Sequence, residues 1–471
     1  MRRLLPLLPL LAATACAVGP RHGAPSTPAA AAGPFLTPAP DIDSATALPA
    51  DWWRLYDDPV LDRLIGRAFA ANTDLRVAAA NLARARAVLG ETRAARLPAT
   101  DLSGGVAYGD AVTNGIPQGG SPDWTYSGGL AVSWELDLFG RVSRAIQAAR
   151  ADAQAVEAAR DRVRVVVAAE TARAYADACA FADAAAVART SLAIAEEGLR
   201  TVTAKEAAGS AARLDIERSA TAVANARAAI PPLDGRRRTA LLELAALIGE
   251  TPAGIPAEAA ACTRPPAPLA AIPVGDGAAL LRRRPDIREA ERRLAADTAR
   301  IGVATADLFP RITLGGSANY LRNDSVRGSD AFTFSLGPLL SWSFPNIAAA
   351  RSRIAQARAQ DAASLAAFDG AVLTALKEVE QALAAYAAEG ERNHALADAR
   401  TRAENAYQLA DARYRAGSIS YLDVLVAQGD FMTARAALAD STQRLGSARM
   451  DLFKALGGGW QTPAAVPQPA G

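Results

Sequence analysis

Between Thr125 and Leu138 apolar and polar positions alternate without a slip. Tyr126, Gly128, Leu130, Val132, Trp134, Leu136 and Leu138 fall on one face; Thr125, Ser127, Gly129, Ala131, Ser133, Glu135 and Asp137 fall on the other. A period of two is the signature of a strand with two different surroundings. After Gly140 the pattern changes to an Ala-rich run with no proline before Pro231, which predicts a helix from Val142 to about Lys205, turned at Gly209. Some 64 residues at ~1.5 Å each reach on the order of 95 Å, more than one compact domain needs. A second helix is expected from Arg213 to Leu247, stopped at Gly249. Upstream, Leu61, Leu64, Ile65 and Ala68, then Leu75, Ala79, Leu82 and Ala83, form apolar stripes that predict helix from Pro59 to about Leu97, ended by Pro98. Residues 99–110 and 125–138 are then two strands joined by a Gly/Asn/Pro-rich loop from Asp110 to Asp123. The Trp52-Trp53-Arg54-Leu55-Tyr56 cluster, followed by Asp58-Pro59 as a helix start, is expected to pack onto the body.

The pattern then restarts. Asp74-Leu75-Arg76 matches Asp286-Ile287-Arg288, Leu97-Pro98 matches Phe309-Pro310 and Tyr108 matches Tyr320, all 212 positions apart (74 to 286). Beyond the strand loop the offset becomes 208 (134 to 342): Gly129 with Gly337, Trp134 with Trp342, Gly209-Ser210 with Gly417-Ser418, Leu214-Asp215 with Leu422-Asp423, and Gly249 with Gly457. One shortening of the second loop accounts for the change, so the chain is a tandem duplication. The second hairpin alternates Phe332, Phe334, Leu336, Pro338, Leu340, Trp342 and Phe344 with Thr333, Ser335, Gly337, Leu339, Ser341 and Ser343; only Leu339 breaks the rule. Strands of that length reach the ~9–11 residues that span a bilayer.

The N-terminus changes the picture by placing the chain. Met1-Arg2-Arg3 and the apolar Leu4–Ala13 form a secretory signal, and Ala13-Thr14-Ala15 ahead of Cys16 resembles a bacterial lipobox, with Ala13 where Leu is usual. Cys16 is the expected lipidation site; plain cleavage beside an incidental cysteine is the alternative. No later segment offers ~18–20 uninterrupted apolar residues, so any membrane crossing must use strands. Cys179 and Cys262 then lie in an oxidising compartment as a candidate disulfide, or else as two buried unpaired thiols.

Composition excludes more than it assigns. The formal net charge of the 471 residues is +2, which gives a nucleic-acid partner no electrostatic support. The 2 histidines, His22 and His394, are far apart and have no cysteine neighbours, so no metal site is expected. Neither a nucleophile–base constellation nor a glycine-rich phosphate loop occurs, so neither an enzyme nor a cofactor is expected. The division read from the chain is a signal peptide at 1–15 and a lipidated Pro/Ala-rich tether at 16–50. A first repeat follows at 51–250 with its hairpin at 99–138, then a linker at 251–275. A second repeat at 276–460 has its hairpin at 311–344, and a disordered tail occupies 461–471.

Four strands cannot close a membrane barrel, because the smallest barrels have about eight strands and lipid tolerates no open edge. Several copies must share one barrel; two would give the minimum, and three would give twelve strands and a lumen large enough to conduct. The fold class is therefore mainly α with a shared membrane β-barrel, the long helices continuing from the strands as a second cylinder. Trp134 is expected near the membrane boundary, with Glu135 and Asp137 toward the water-filled lumen rather than paired for catalysis.

Trp134-Glu-Leu-Asp-Leu-Phe-Gly-Arg141, Arg282-Arg-Arg-Pro-Asp-Ile-Arg288, Tyr414-Arg-Ala-Gly-Ser-Ile-Ser-Tyr-Leu-Asp-Val-Leu425, Trp52-Trp53 and Leu456-Gly-Gly-Gly-Trp460 resemble the outer-membrane efflux family of TolC-like channels, most of all its NodT-type lipoproteins. The resemblance covers nearly the whole mature chain. It implies a homotrimer with a twelve-stranded barrel in outer-membrane lipid and an α-helical barrel through the periplasm. It also implies two partners, a periplasmic adaptor and an inner-membrane pump of the resistance-nodulation-division (RND) type. Such a protein is an exit duct without chemistry of its own. By the same resemblance the helical barrel narrows near Gly209–Arg218 and Gly417–Asp430. Leu422 and Asp423 match constriction positions, whereas Val426 stands where relatives often carry a second aspartate and Asp430 lies one turn on. Asp423 is thus either a ring of three carboxylates or a first-turn helix residue serving the dipole, and both roles are compatible. Asp215 and Arg218 are a further candidate pair at this tip. A protein-secretion conduit shares the architecture, and a coiled-coil lipoprotein would explain the helices but not two membrane-type hairpins.

Overall fold

A computed structural model describes residues 17–110, 112–113, 116–117, 122–268, 270–345 and 347–461. The signal sequence, Cys16 and the tail beyond Gln461 lie outside the described residues. The helices are α1 (Pro59–Ala71), α2 (Thr73–Ala94), α3 (Arg141–Ala207), α4 (Arg213–Ala228), α5 (Ile230–Leu247), the short α6 (Ala257–Ala260), α7 (Gly277–Arg283), α8 (Pro285–Ala306), α9 (Ile347–Arg415) and α10 (Tyr421–Ala455). The strands are β1 (Ile42–Asp43), β2 (Ala99–Gly109), β3 (Val112–Thr113), β4 (Ile116–Pro117), β5 (Asp123–Leu136), β6 (Ile272–Pro273), β7 (Arg311–Arg322) and β8 (Phe332–Ser341). By backbone proximity the chain divides into two units. One takes in the N-terminal stretch to Ser26, Asn81–Glu157 and Glu289–Asp369; the other takes in Thr27–Ala80, Ala158–Arg288 and Gly370 onward.

The first unit is built on an antiparallel sheet ordered β2-β5-β7-β8. Each repeat supplies one hairpin, and β5 pairs with β7 to join them, with Leu130 opposite Ala318 and Trp134 opposite Leu314. The connection between β2 and β5 is not the plain loop expected, because β3 and β4 form a small ladder of their own within it.

The second unit holds the principal apolar core. Trp52 is fully buried and stacks on Phe453 at 4.3 Å, and both pack with Leu61, Leu64, Ile65, Leu244 and Leu280. The Trp52-Trp53 cluster thus forms a short 3-10 helix packed into this core, with Phe453 near the end of α10 as the stacking partner of Trp52. Cys179 of α3 and Cys262 are joined by a disulfide that ties the linker down. An 18-residue window within α3 has a mean hydropathy of 1.4, and 44% of it is buried inside the protein.

Three expectations need correction. The helix expected from Pro59 to Leu97 breaks at Asn72, whose Oδ1 accepts from the amides of Asp74 and Leu75 at 3.0 and 3.2 Å to start α2. The helix expected from Arg213 to Leu247 breaks at Ala229. Pro231 and Pro232 have no N–H to continue the ladder and instead sit in the first turn of α5. At the corresponding place in the second repeat, Ala439 and Asp440, α10 runs on unbroken. The stretch 16–50 is no free tether over its described part: Ile42 and Asp43 pair with Ile272 and Pro273, Ala31 and Leu48 are buried, and Glu380 accepts the amides of Leu36 and Thr37. Paired amides and buried side chains fix a segment whatever its proline content.

The breaks in the two repeats correspond. Asn72 donates its Nδ2–H to the carbonyl of Leu247, at the end of α5, at 3.0 Å. Arg284, which is 212 positions after Asn72 and lies between α7 and α8, donates to the carbonyl of Ala455 at 2.8 Å, 208 positions after Leu247. In each repeat the residue at a helix break thus satisfies an orphan carbonyl at the end of that repeat's last helix.

Candidate functional site

The register of the sheet puts every even-numbered residue of its four strands on one face. Leu102, Leu130, Ala318 and Phe334 lie in one cross-strand row, and Gly128, Tyr320 and Phe332 lie in another. This apolar face is exposed: Leu102 is 83%, Phe334 89% and Leu336 80% accessible. Tyr108 against Trp124 (5.2 Å) and Tyr320 against Phe332 (4.9 Å) border it at one end. Trp134 and the stacked pair Trp342–Phe344 (4.7 Å) border it at the other. Their indole nitrogens donate to equivalent carbonyls, Trp134 to Arg96 and Trp342 to Leu308. From Trp124 to Trp134 a strand rising ~3.3 Å per residue and tilted ~40° climbs about 25 Å, the height of the apolar band of an outer-membrane barrel.

The odd-numbered face is polar. Ser317 and Ser335 bond across the ladder at 2.9 Å, beside Asn319 and Thr333. Gly129 stands among these side chains because a Cβ there would come within 2.9 Å of the Asn319 side chain and 3.0 Å of Ser103. The two acids at the end of β5 have local partners. Glu135 takes the guanidinium of Arg141, and the Asp137 carboxylate accepts the first-turn amides of α3 from Val142 and Ser143 at 2.8 and 2.7 Å.

The helix ends form the other candidate region. Both long helices close in the same way. Gly209 (φ +73°) and Gly417 (φ +74°) turn the chain, while the amides of Ser210 and Ser418 bond back to the carbonyls of Lys205 and Arg413. Around these turns α3, α4, α9 and α10 pack on a small apolar cluster of Val202, Tyr421 and Val424. Lys205 lies 3.7 Å above the Tyr414 ring, Tyr414 meets Tyr421 at 5.2 Å, and the buried hydroxyls of Ser219 and Tyr421 bond at 3.0 Å. Sequence reasoning missed this tyrosine seat, although Tyr414 and Tyr421 stand in the quoted motif.

Leu422, Asp423, Val426 and Asp430 share the exposed side of α10, opposite the buried Tyr421, Val424, Gln428 and Phe431. Asp423 forms a capping box with Ser420: its carboxylate accepts the Ser420 amide at 3.0 Å while the Ser420 hydroxyl accepts the Asp423 amide. Asp215 and Arg218 form an i,i+3 pair at 3.8 Å on α4. No group of three or more His, Cys, Asp or Glu suited to a metal occurs among the described residues.

An apolar face about 25 Å tall between aromatic borders, a polar reverse face and very long helices define the class: an outer-membrane β-barrel channel with an α-helical extension. Residues 64–250 and 278–458 each match the family model described as outer membrane efflux protein. The chain is 30% identical to nodulation protein T of Rhizobium leguminosarum bv. trifolii, over 95% of this chain and 96% of that protein. It is 31% identical to the solvent efflux pump outer membrane protein SrpC of Pseudomonas putida, over 97% and 98%. Among solved structures it superposes on the outer-membrane channel OprN with a TM-score of 0.86, at 33% identity, over 95% of this chain and 100% of that one. It superposes on the open state of the MtrE outer membrane channel of Neisseria gonorrhoeae with a TM-score of 0.82 at 27% identity, over 95% and 99%. The chain belongs to the outer membrane efflux protein family. It is an outer-membrane exit duct for efflux.

Proposed function

We propose that three copies close a twelve-stranded barrel in the outer membrane. The long helices of the trimer would form a periplasmic conduit that meets a periplasmic adaptor and an inner-membrane RND-type pump. The observation that carries this is the sheet β2-β5-β7-β8. It offers lipid a tall apolar face, but among the described residues β2 and β8 each have only one strand partner. Lipid does not tolerate such edges, so further copies must pair them. The polar face, with Glu135 and Asp137 at its end, lines the lumen. Cys16 carries the lipid, palmitate included, that anchors each copy. The chain catalyses nothing; it passes small molecules delivered by the pump.

The exposed stripe of α10 narrows the periplasmic end. Leu422 and Val426 supply apolar rings, Asp423 and Asp430 supply carboxylate rings, and Asp215 with Arg218 flanks them. Three Asp423 carboxylates around one axis favour cations. Single-channel recording in planar bilayers is the test. A conducting, cation-selective pore is expected in wild type, with reduced selectivity in Asp423→Asn. Unchanged selectivity in that variant removes Asp423 from the aperture, and no conductance from the purified, correctly sized trimer removes the channel reading. Gene deletion followed by challenge with solvents, dyes and antibiotics identifies the cargo.

A further inference from the structure

The duplication exposes a charge that one repeat pairs and the other leaves free. At the offset of 208 (236 to 444), Arg236 corresponds to Arg444, Phe181 to Glu389 and Pro232 to Asp440. In the second repeat Arg444 has two carboxylates, Glu389 at 3.4 Å and Asp440 at 2.6 Å. In the first repeat both acids are replaced. Arg236 stands 5.9 Å from the centre of the Phe181 ring, and no carboxylate among the described residues pairs with it. Beside Arg236 the helices part. α4 ends at Ala228 and α5 starts at Ile230, because Pro231 and Pro232 break the ladder, whereas α10 runs straight past. Between this break, α3 and α10 lies a cavity of about 430 Å³, all of it within the second unit. Phe181, Val187, Leu233 and Met432 give it an apolar wall, and Asn225 and Arg236 add polar groups. Asp440 also lines it, but that carboxylate is taken by Arg444. The volume is in the range of small-molecule sites and far above the ~30 Å³ of one water.

An apolar recess with one unpaired cation at its edge complements one kind of occupant. We propose that it binds organic anions, molecules with an apolar body and a single carboxylate or sulfonate. The headgroup takes the Arg236 guanidinium, whose planar fork matches a carboxylate through two parallel hydrogen bonds. The body covers Phe181, Leu233 and Met432. An organic cation would meet Arg236 as a like charge, and a neutral molecule would gain nothing from it. The α10 side of the recess is Gly429, Thr433, Ala436 and Asp440. At alternating spacings of four and three residues these continue the exposed stripe of Leu422 and Val426, so all six share one helix face. The recess therefore opens into the duct, further along α10 from its narrow end, and this placement rests on the reading that the stripe lines the duct. Organic anions are then the class of cargo that the duct wall retains.

The test is photolabelling of the full-length protein in nanodiscs with a trifluoromethyl-diazirinyl benzoate and with the matching neutral benzyl alcohol. Adducts are mapped by mass spectrometry. In wild type the benzoate should label 181–191, 229–236 and 432–440 more strongly than the alcohol does. Arg236→Gln should lower benzoate labelling there about tenfold and leave alcohol labelling unchanged. Arg236→Lys should restore part of it. Phe181→Glu, which gives Arg236 the acid that Arg444 has, should remove benzoate labelling while keeping the cation. Ala436→Trp, which fills the recess, should remove labelling by both probes; trimer yield in detergent checks folding. Absence of benzoate adducts from these segments in wild type overturns the site, and is the result expected if a neighbouring copy covers the recess. Benzoate labelling that Arg236→Gln and Phe181→Glu leave unchanged overturns the anion. Placement in the duct is read separately in planar bilayers. Thr433→Cys, treated with a cationic methanethiosulfonate, should change the single-channel current in steps. An unchanged current in a labelled, conducting protein overturns the opening into the duct. Absence of conductance in wild type overturns the duct itself, a different result from loss of the anion site.

Discussion

Replacing Arg284 with alanine tests the idea that both repeats are closed by one residue at a helix break. Arg284 is about nine-tenths buried. It grips Asp286 through two bonds of 3.0 and 2.6 Å, reaches Glu378 at 2.7 Å, and donates to the Ala455 carbonyl at 2.8 Å. Alanine would strand a largely buried carboxylate and a helix-end carbonyl. Breaking a buried pair by removing one partner costs about 3–5 kcal/mol, and the half-exposed Glu378 adds little. Asn72→Ala removes only neutral bonds, a cap worth ~1 kcal/mol and a carbonyl partner, for about 2–3 kcal/mol in total.

The acid limb of the stability curve adds a second criterion. Burial alone would raise the Asp286 carboxyl, but the hydrogen bond and charge of Arg284, together with the backbone amides of Ile287 and Asp286, outweigh it and hold the group below its usual value. A depressed carboxylate contributes stability that is present above its unfolded pKa of ~3.9 and is lost as pH falls through the lower folded value. Without Arg284 that depression shrinks, so acidification should cost the variant less than wild type. Thermal unfolding followed by helical circular dichroism in detergent, at pH 7 and down to pH 3, measures both. The expected loss at pH 7 is roughly 3–5 °C for Arg284→Ala and a smaller one for Asn72→Ala. A melting temperature within one degree of wild type, or parallel acid limbs in Arg284→Ala and wild type, refutes the reasoning.

Other substitutions probe the remaining claims. Phe334→Arg, in the middle row of the lipid face, should cost about 2–4 kcal/mol and lower the assembled fraction in outer-membrane preparations. Ser335→Arg, one position along on the polar face, should assemble normally and change conductance; equal assembly of the two variants would mean that the faces are misassigned. The Cys179–Cys262 bridge closes a loop with a sequence separation of 83, for which loss of the cross-link lowers stability by about 4.5 kcal/mol. The double alanine variant should therefore show faster thermolysin cleavage within 251–275, and unchanged cleavage would locate the constraint elsewhere. Tyr421→Phe should be mild, about 1 kcal/mol by melting, because Ser219 keeps its bond to the Asp215 carbonyl at 2.8 Å. Tyr421→Ala, which empties the seat between Tyr414 and Val424, should cost several times as much.

What the sequence determined by itself follows from local periodicity and self-similarity. Alternation around Trp134 and Trp342 marked two-faced strands, and the offsets of 212 and 208 set the duplication. Glycine at 209 and 417 marked the turns, since only a residue without Cβ enters that conformation cheaply. The break at Pro231-Pro232 was legible from the missing N–H groups, although the alanine pattern around it suggested one helix. The tertiary structure alone decided which distant groups local signals serve. Asn72 breaks a helix because the Leu247 carbonyl lies within reach, and Arg284 serves Ala455 in the same way. Gly302 and Gly140 look like ordinary small residues until the backbone of Ala17 and Gly19 is seen lying on them. A hydrogen bond or a close approach between residues more than a hundred positions apart leaves no period in the chain, because its partner is chosen by packing and not by spacing.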